Sequence, residues 1–469
     1  MEYHEITPED VQYLRKVTAP ERVLYGDEIE YDYHHDELPL LGTHAPEVVV
    51  FVLTTEEVSA VMKYAYENTI PVTPRGAGTG LSGGAVPQYG GILLTTEKMN
   101  RILEWDLDTM TVLVEPGVLV MELDAAAEER DVFYPPEPGE KTASLGGNVM
   151  TNAGGMKAIG YGVTRRYVVD LECVLPDGRV MQFGSNVAKN TSGYDVKDLI
   201  IGSEGTLCIV TKIRLRVIHP PKVSYTLLVP YGSLEECLDT VPKFINSDLE
   251  PVAIEYISKA ILDDAAYYLN KIMPHKTADT YMILMFNGGT TEDVERRCDA
   301  AAQLCLDNGA EDVFLCNTEE TKDAVWSVRS AALEAEKVST SDMDECDVVV
   351  PSNRIADFSH FADSLMEKYE IRISIFGHAG DGNMHIMLMR DDMDPEVFKE
   401  RYEALMYELY DKASEMGGQV SGEHGIGHAR VKYLEKQMGP EMVGLFRGIK
   451  AVFDEKNILN PGKVIKAYE

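Results

Sequence analysis

Two short stretches carry the residues best suited to chemistry. The first is FGHAGDGNMHIML at 376–388, flanked by the apolar runs IRISIF (371–376) and MHIMLMR (384–390). Asp381-Gly382 is a favoured two-residue hairpin turn, and His378 and His385 lie symmetrically about it. Directly opposed residues on a hairpin have Cβ atoms about 4.5–5.5 Å apart, which lets two imidazoles chelate one ion. The second stretch is SGEHGIG at 421–427. An adjacent Glu-His pair between glycines has little packing to do. Glu423 would complete a His₂-carboxylate set with open coordination positions, and His424 would remain as a base. Zinc, manganese and ferrous iron all suit such ligands.

An anionic substrate needs a planar, bidentate donor. Arg329, in VWSVRSAA (325–332) on an expected helix, is the candidate. The alternative is an ordinary exposed helical arginine. HAR (428–430) supplies a further His and Arg, read as surface residues at the start of a helix.

Glycine is concentrated in three loops. PVTPRGAGTGLSGG (71–84) contains Gly78-x-Gly80-x-x-Gly83, a formal match to the dinucleotide fingerprint. A Rossmann loop must open a helix, whereas this one runs through AVPQYGG into another β-rich run, which excludes the nicotinamide reading. SLGGNVMTNAGG (144–155) and IGSEGTLCIVT (201–211) are two more glycine nests. Convergent backbone N–H groups in such nests hold phosphate oxygens, and three together suit a large dinucleotide.

The segments PRGAGTGLSGG, PPEPGEKTASLGGNVMTNAGGMKAIGYGVTR and GSEGTLCIVTKIRLRV resemble the FAD domain of vanillyl-alcohol-oxidase-like flavoproteins. The D-lactate dehydrogenases, with the related glycolate oxidase subunit, are the most similar branch, and the likeness covers essentially the whole chain. It implies that Arg75, Gly76, Gly78, Thr79, Gly80, Ser82, Gly83 and Gly84 wrap the FAD pyrophosphate. Pro138, Ser144, Gly147, Asn148, Asn152 and Gly155 would line the flavin, with Glu204, Gly205 and Ile209 near the adenosine side. In ILNPGKV (458–464) Asn460 would point toward the flavin; read alone, that motif is a plain helix stop. Some relatives tether flavin through a histidine in the first loop. Residues 74–87 hold none, so non-covalent FAD is expected.

Matched residue by residue, the family pattern gives His378, His385 and Glu423 as metal ligands, His424 as proton acceptor, and Arg329 as carboxylate anchor within a tryptophan-x-x-arginine segment. Relatives that oxidise 2-hydroxyglutarate carry a lysine shortly before the DVxVP strand. Here that segment, SDMDECDVVVP, has Glu345 instead, which favours a small monocarboxylate over a dicarboxylate. The expected reaction is oxidation of a D-2-hydroxy acid, D-lactate before glycolate, with hydride passing to FAD. Electrons would leave to an external acceptor: an electron-transferring flavoprotein, a quinone, a cytochrome or an iron–sulfur subunit, with a protein partner favoured. Two rivals share the fold or cofactor: a transferase of the alkyl-glycerone-phosphate synthase type, and an electron-transfer subunit that merely carries FAD.

The elements expected to position these residues form an α+β protein. A two-part FAD-binding domain (1–220) is followed by an α+β cap domain (221–425) with an antiparallel sheet and helices on one face. A C-terminal helical segment (426–469) returns to the first domain. Strands are expected at 48–53, 70–74, 91–96 and 111–117, with a helix from Thr54 to Asn68 opened by a Thr54/Glu57 capping box. A hairpin spans 171–183. In the cap, strands at 223–229, 252–257, 281–286 and 312–316 alternate with helices near 233–246 and 291–308.

Composition narrows the partners. A formal charge of −35 repels nucleic acid and anionic lipid headgroups. Seven cysteines without a CxxC spacing argue against a disulfide framework or an iron–sulfur centre. The acidic amino-terminal stretch has no apolar signal core, and no run of about 18 apolar residues spans a bilayer. A soluble, cytoplasmic protein is the expectation.

Overall fold

The computed structural model describes residues 2–37, 42–136, 138–271 and 278–466. The chain divides into two compact units: 1–153 with 163–219 and 423–469, and 154–162 with 220–422. The segment 154–162, read from sequence with the first domain, belongs to the second unit, and the return to the first begins at Glu423 rather than after residue 425.

In the first unit a four-stranded sheet has the order Val23–Tyr25, Val48–Phe51, Ile92–Thr95, Val72–Arg75. The outer strand Val23–Tyr25 is antiparallel, and the other pairs are parallel. Both faces of Val48–Phe51 are buried, which explains its unbroken apolar run. Val48, Val50, Ile92 and Leu94 pack with Val58, Val61 and Met62 of the helix Thr55–Asn68. Each such fully buried side chain contributes about 1.5–3 kcal/mol. Thr54 caps this helix by accepting the Glu57 amide at 3.3 Å. The Glu57 carboxylate reaches past the cap to the Leu53 amide and to Arg22, so the expected box is only half formed. A five-stranded antiparallel sheet, in the order Ile102–Asp106, Thr111–Val114, Ile209–Arg216, Val168–Val174, Val180–Gly184, completes the unit's sheets. The C-terminal segment joins the four-stranded sheet: the Val72 amide donates to Ile458 O and the Asn460 amide to Val72 O.

The second unit is built on a seven-stranded antiparallel sheet, ordered Phe314–Cys316, Val223–Tyr231, Thr280–Gly288, Ala253–Ser258, Arg372–His378, Asn383–Met389, Met343–Val349. Helices cover both of its faces, correcting the one-face expectation. On one face Val325 and Val328 of helix Glu319–Ser330 pack with Ile257, Phe376 and Met387. On the other, Tyr231 donates to Thr240 of helix Leu234–Ile245, and Arg297 of helix Thr291–Leu306 lies over Phe286.

Among the described residues no helix is long and apolar enough to cross a membrane. All seven cysteines are reduced thiols and buried.

Candidate active site

The histidine hairpin differs from the sequence expectation by one pair. His378 faces Asn383, and His385 faces Phe376, because the connection is a four-residue loop rather than a two-residue turn on Asp381-Gly382. The amides of Asp381 and Gly382 both return to His378 O at 3.1 Å. Gly382 has φ +81°, and a Cβ there would lie 2.0 Å from Val350 O, so glycine is required. The slip is two residues, and strand side chains alternate with a period of two. His378 and His385 therefore still share a face as diagonal neighbours, their ring centroids 5.1 Å apart and planes at 88°.

Each imidazole is held by a buried carboxylate. Nδ1 of His378 lies 2.8 and 2.9 Å from the two oxygens of Glu255, its partner on the adjacent strand. Nδ1 of His385 lies 2.6 Å from Glu345 Oε1. A carboxylate on Nδ1 fixes the ring and its tautomer and leaves the Nε2 lone pair for a ligand, the usual support for a metal-binding histidine. In the sequence Glu345 stands out only as a departure from a lysine, and Glu255 not at all. A signal for Glu255 is nonetheless there: a single carboxylate inside the apolar run VAIEYI is too costly to bury without a partner.

Arg329 is not a surface residue. It is 4% exposed, its Nη2 lies 2.6 Å from Glu255 Oε2, and its guanidinium sits 4.7 Å over the Phe376 ring. Its Nε has no hydrogen-bond partner among the described residues. Trp326, one helical turn earlier, donates Nε1–H to Thr226 at 2.8 Å and fastens this helix face to the sheet. Asp347, also inconspicuous in the sequence, faces His385 across the strand pair. It accepts from Asn383 Nδ2 at 2.7 Å, Ser421 Oγ at 2.7 Å and the Gly422 amide at 3.0 Å.

The first unit holds the continuation of that segment. His424 Nε2 is 3.7 Å from Glu423 Oε1, too long for a hydrogen bond. His424 O accepts from Ser82 Oγ at 3.1 Å, and the Ile426 and Gly427 amides donate to the Glu204 carboxylate at 2.7 and 2.6 Å. Burial pushes the Glu204 carboxyl upward, against those two amides. His428 and Arg430 correct the surface reading. They precede the helix Val431–Phe453 and turn inward, with Arg430 4% exposed. The His428 ring lies against Gly83, and burial depresses it to about 3.

The residues expected around the cofactor divide by what their atoms do. Gly76 abuts Ser144, whose Oγ a Cβ would meet at 2.2 Å; Ser144 Oγ in turn accepts the Gly147 and Ala77 amides. Thr79, Gly80 and Gly84 continue this loop, while the Gly83 amide donates to Asp36. Arg75 turns away and donates to His35 O and Asp32 O. Asn152 accepts the Arg165 amide, Gly205 packs on Pro74, and the Ile209 side chain lies in the core. Pro138 is half-buried, and Gly155 belongs to the other unit. Asn460 donates to Gly84 O and Glu204 O. Asn148 Nδ2 and Asn460 Oδ1 are buried without a hydrogen-bond partner among the described residues. Buried polar atoms are seldom left so, and these two, beside glycine backbone, fit a polar cofactor.

This architecture is the FAD-binding fold of the vanillyl-alcohol-oxidase type. A 4-ethylphenol oxidase from Gulosibacter chungangensis shares it, with TM-score 0.81 at 17% identity over 100% of this chain and 99% of that one. Residues 46–184 match the FAD binding domain and residues 220–464 the C-terminal domain of FAD linked oxidases. The chain is 45% identical to a D-lactate dehydrogenase of Anaerostipes hadrus, covering 99% of this chain and 98% of that protein. It is 35% identical to glycolate oxidase subunit GlcD of Bacillus subtilis (strain 168), covering 98% and 97%. The chain belongs to the family of FAD-linked oxidases that contains these proteins, and it is an FAD-dependent oxidoreductase.

Proposed function

We propose that the protein oxidises a small D-2-hydroxy acid, D-lactate in the first place and glycolate as a lesser alternative, to the 2-oxo acid. The observation that carries this reading is the pair of carboxylate-held imidazoles beside Arg329 on one face of the seven-stranded sheet. The names of the two relatives above support the same substrate class.

His378 and His385 present Nε2 as ligands for a divalent ion, and Glu423 is the third. Gly422 is held by Asp347, the strand partner of His385, so Glu423 begins one residue from that anchor. The donor set fits zinc, manganese or ferrous iron; such an ion supplies Lewis acidity to a substrate hydroxyl. FAD, held without a covalent bond by the glycine loops with Asn148 and Asn460, supplies the hydride acceptor. Arg329 binds the substrate carboxylate through its unpaired Nε edge, countering the repulsion of a strongly acidic protein. His424 takes the hydroxyl proton as the C2 hydrogen leaves with its electron pair. Glu345, engaged by His385, offers no cation for a second carboxylate, which supports a monocarboxylate substrate. The electrons pass to a separate redox protein such as an electron-transferring flavoprotein, and we place the enzyme in the cytoplasm.

Anaerobic mixing with D-lactate, L-lactate, glycolate and malate tests this reading through the flavin absorbance. Rapid bleaching by D-lactate is expected. Bleaching by none of the four overturns the assignment and favours the transferase or electron-carrier alternatives.

A further inference from the structure

Glu255 is bound on two sides. Its carboxylate, fully buried mid-strand, holds His378 Nδ1 at 2.8 Å and Arg329 Nη2 at 2.6 Å. Resting on the function proposed above, we propose that Glu255 is a positioning residue that fixes the substrate-carboxylate anchor and one metal ligand as a single unit. Arg329 makes its ion pair with Glu255, and His385 depends on a different carboxylate, Glu345. The two histidine supports are thus unequal: Glu345 positions a metal ligand, whereas Glu255 positions a metal ligand and the guanidinium together.

The chemistry of the two partners makes this separable. His378 needs an acceptor for Nδ1–H, and the amide oxygen of a glutamine can serve. Arg329 needs negative charge, and a glutamine would turn its NH₂ toward the guanidinium, donor against donor. Glu255→Gln therefore retains the histidine support and loses the arginine support, while Glu255→Ala loses both. Glu345→Ala loses only the support of His385.

The experiment uses FAD-loaded full-length protein with two readouts. Manganese or zinc affinity is measured by chelator competition without substrate, and KM and kcat for D-lactate are measured at saturating metal. Flavin content and thermal melting confirm that each variant is folded. Glu345→Ala should weaken metal binding roughly 10–100-fold, as loss of a supporting carboxylate does, and recover KM at saturating metal. Glu255→Ala should weaken metal binding comparably and keep KM raised by about tenfold or more at saturating metal. Glu255→Gln, the variant that tests the idea if the alanine form fails to fold, should raise KM with metal affinity within a few-fold of wild type. Equal behaviour of Glu255→Ala and Glu345→Ala, or an unchanged KM in Glu255→Gln, overturns the joint role. Wild-type metal content that His378→Ala leaves unchanged overturns the metal reading itself, and the joint role with it.

Discussion

Ser82 donates its hydroxyl to the carbonyl oxygen of His424 over 3.1 Å. Gly427 adds a second tie, since a Cβ there would lie 1.9 Å from Ser82 O. The backbone of SGEHGIG is thereby fastened to the glycine loop, with Glu204 holding the next two amides. A fixed backbone lets the adjacent side chains of Glu423 and His424 take different tasks.

Glu423→Gln should weaken metal binding, because a neutral amide replaces a charged ligand, and added metal should restore part of the activity. His424→Gln should keep metal and FAD yet slow flavin reduction by about 10²–10⁴, the usual cost of losing a general base. Stopped-flow reduction with D-lactate across metal concentration separates them. Metal rescue of the His424 variant alone would mean the two roles are reversed.

His378→Ala and His385→Ala should each remove the metal while leaving FAD bound, because the glycine loops belong to the other unit. Elemental analysis beside the flavin spectrum is the check. Unchanged metal in both variants rules out the paired imidazoles as ligands.

Acid precipitation should release the flavin into the supernatant, since residues 74–87 contain no histidine to tether it. Yellow colour retained in the washed pellet defeats this expectation.

Lys463 gives a pH signature. Its ammonium is 2% exposed and donates to Val86 O, and burial lowers it from 10.5 to about 7, against the pull of Glu204 and Asp36. Between about 7 and 10.5 the unfolded chain binds more protons than the native one, so this lysine makes stability rise with pH by at most about 1.4 kcal/mol per unit. That gain is complete above 10.5 and lost as pH falls through about 7. Melting temperatures at pH 6, 8 and 9.5 should show Lys463→Met gaining most over wild type at the lowest pH. A difference constant with pH contradicts the assignment.

Much of this was legible from local chemistry. Glycine loops, a histidine hairpin and Glu-His between glycines announce themselves because their function depends on near neighbours in sequence. The pairing of His378 with Glu255 was not, since those residues are 123 positions apart and only strand order joins them. The hairpin register slipped because Asp381-Gly382 satisfies a two-residue turn in isolation, while contact of Gly382 with Val350 selects the longer loop. His428 and Arg430 were misplaced for a related reason. Charge suggests solvent, but tight packing of Gly83 and Gly427 draws the turn between them inward.

The burial of all seven cysteines has a chemical consequence. Desolvation raises the thiols of Cys173, Cys237, Cys298, Cys305 and Cys316, to about 12 at Cys298 and about 11 at Cys305. A protonated, enclosed sulfur is a poor nucleophile toward peroxide and climbs the oxidation ladder slowly. Reduced flavin that meets dioxygen generates peroxide beside its own protein. The folded chain is accordingly built to withstand its own by-product, and its thiols should react with alkylating reagents only after unfolding.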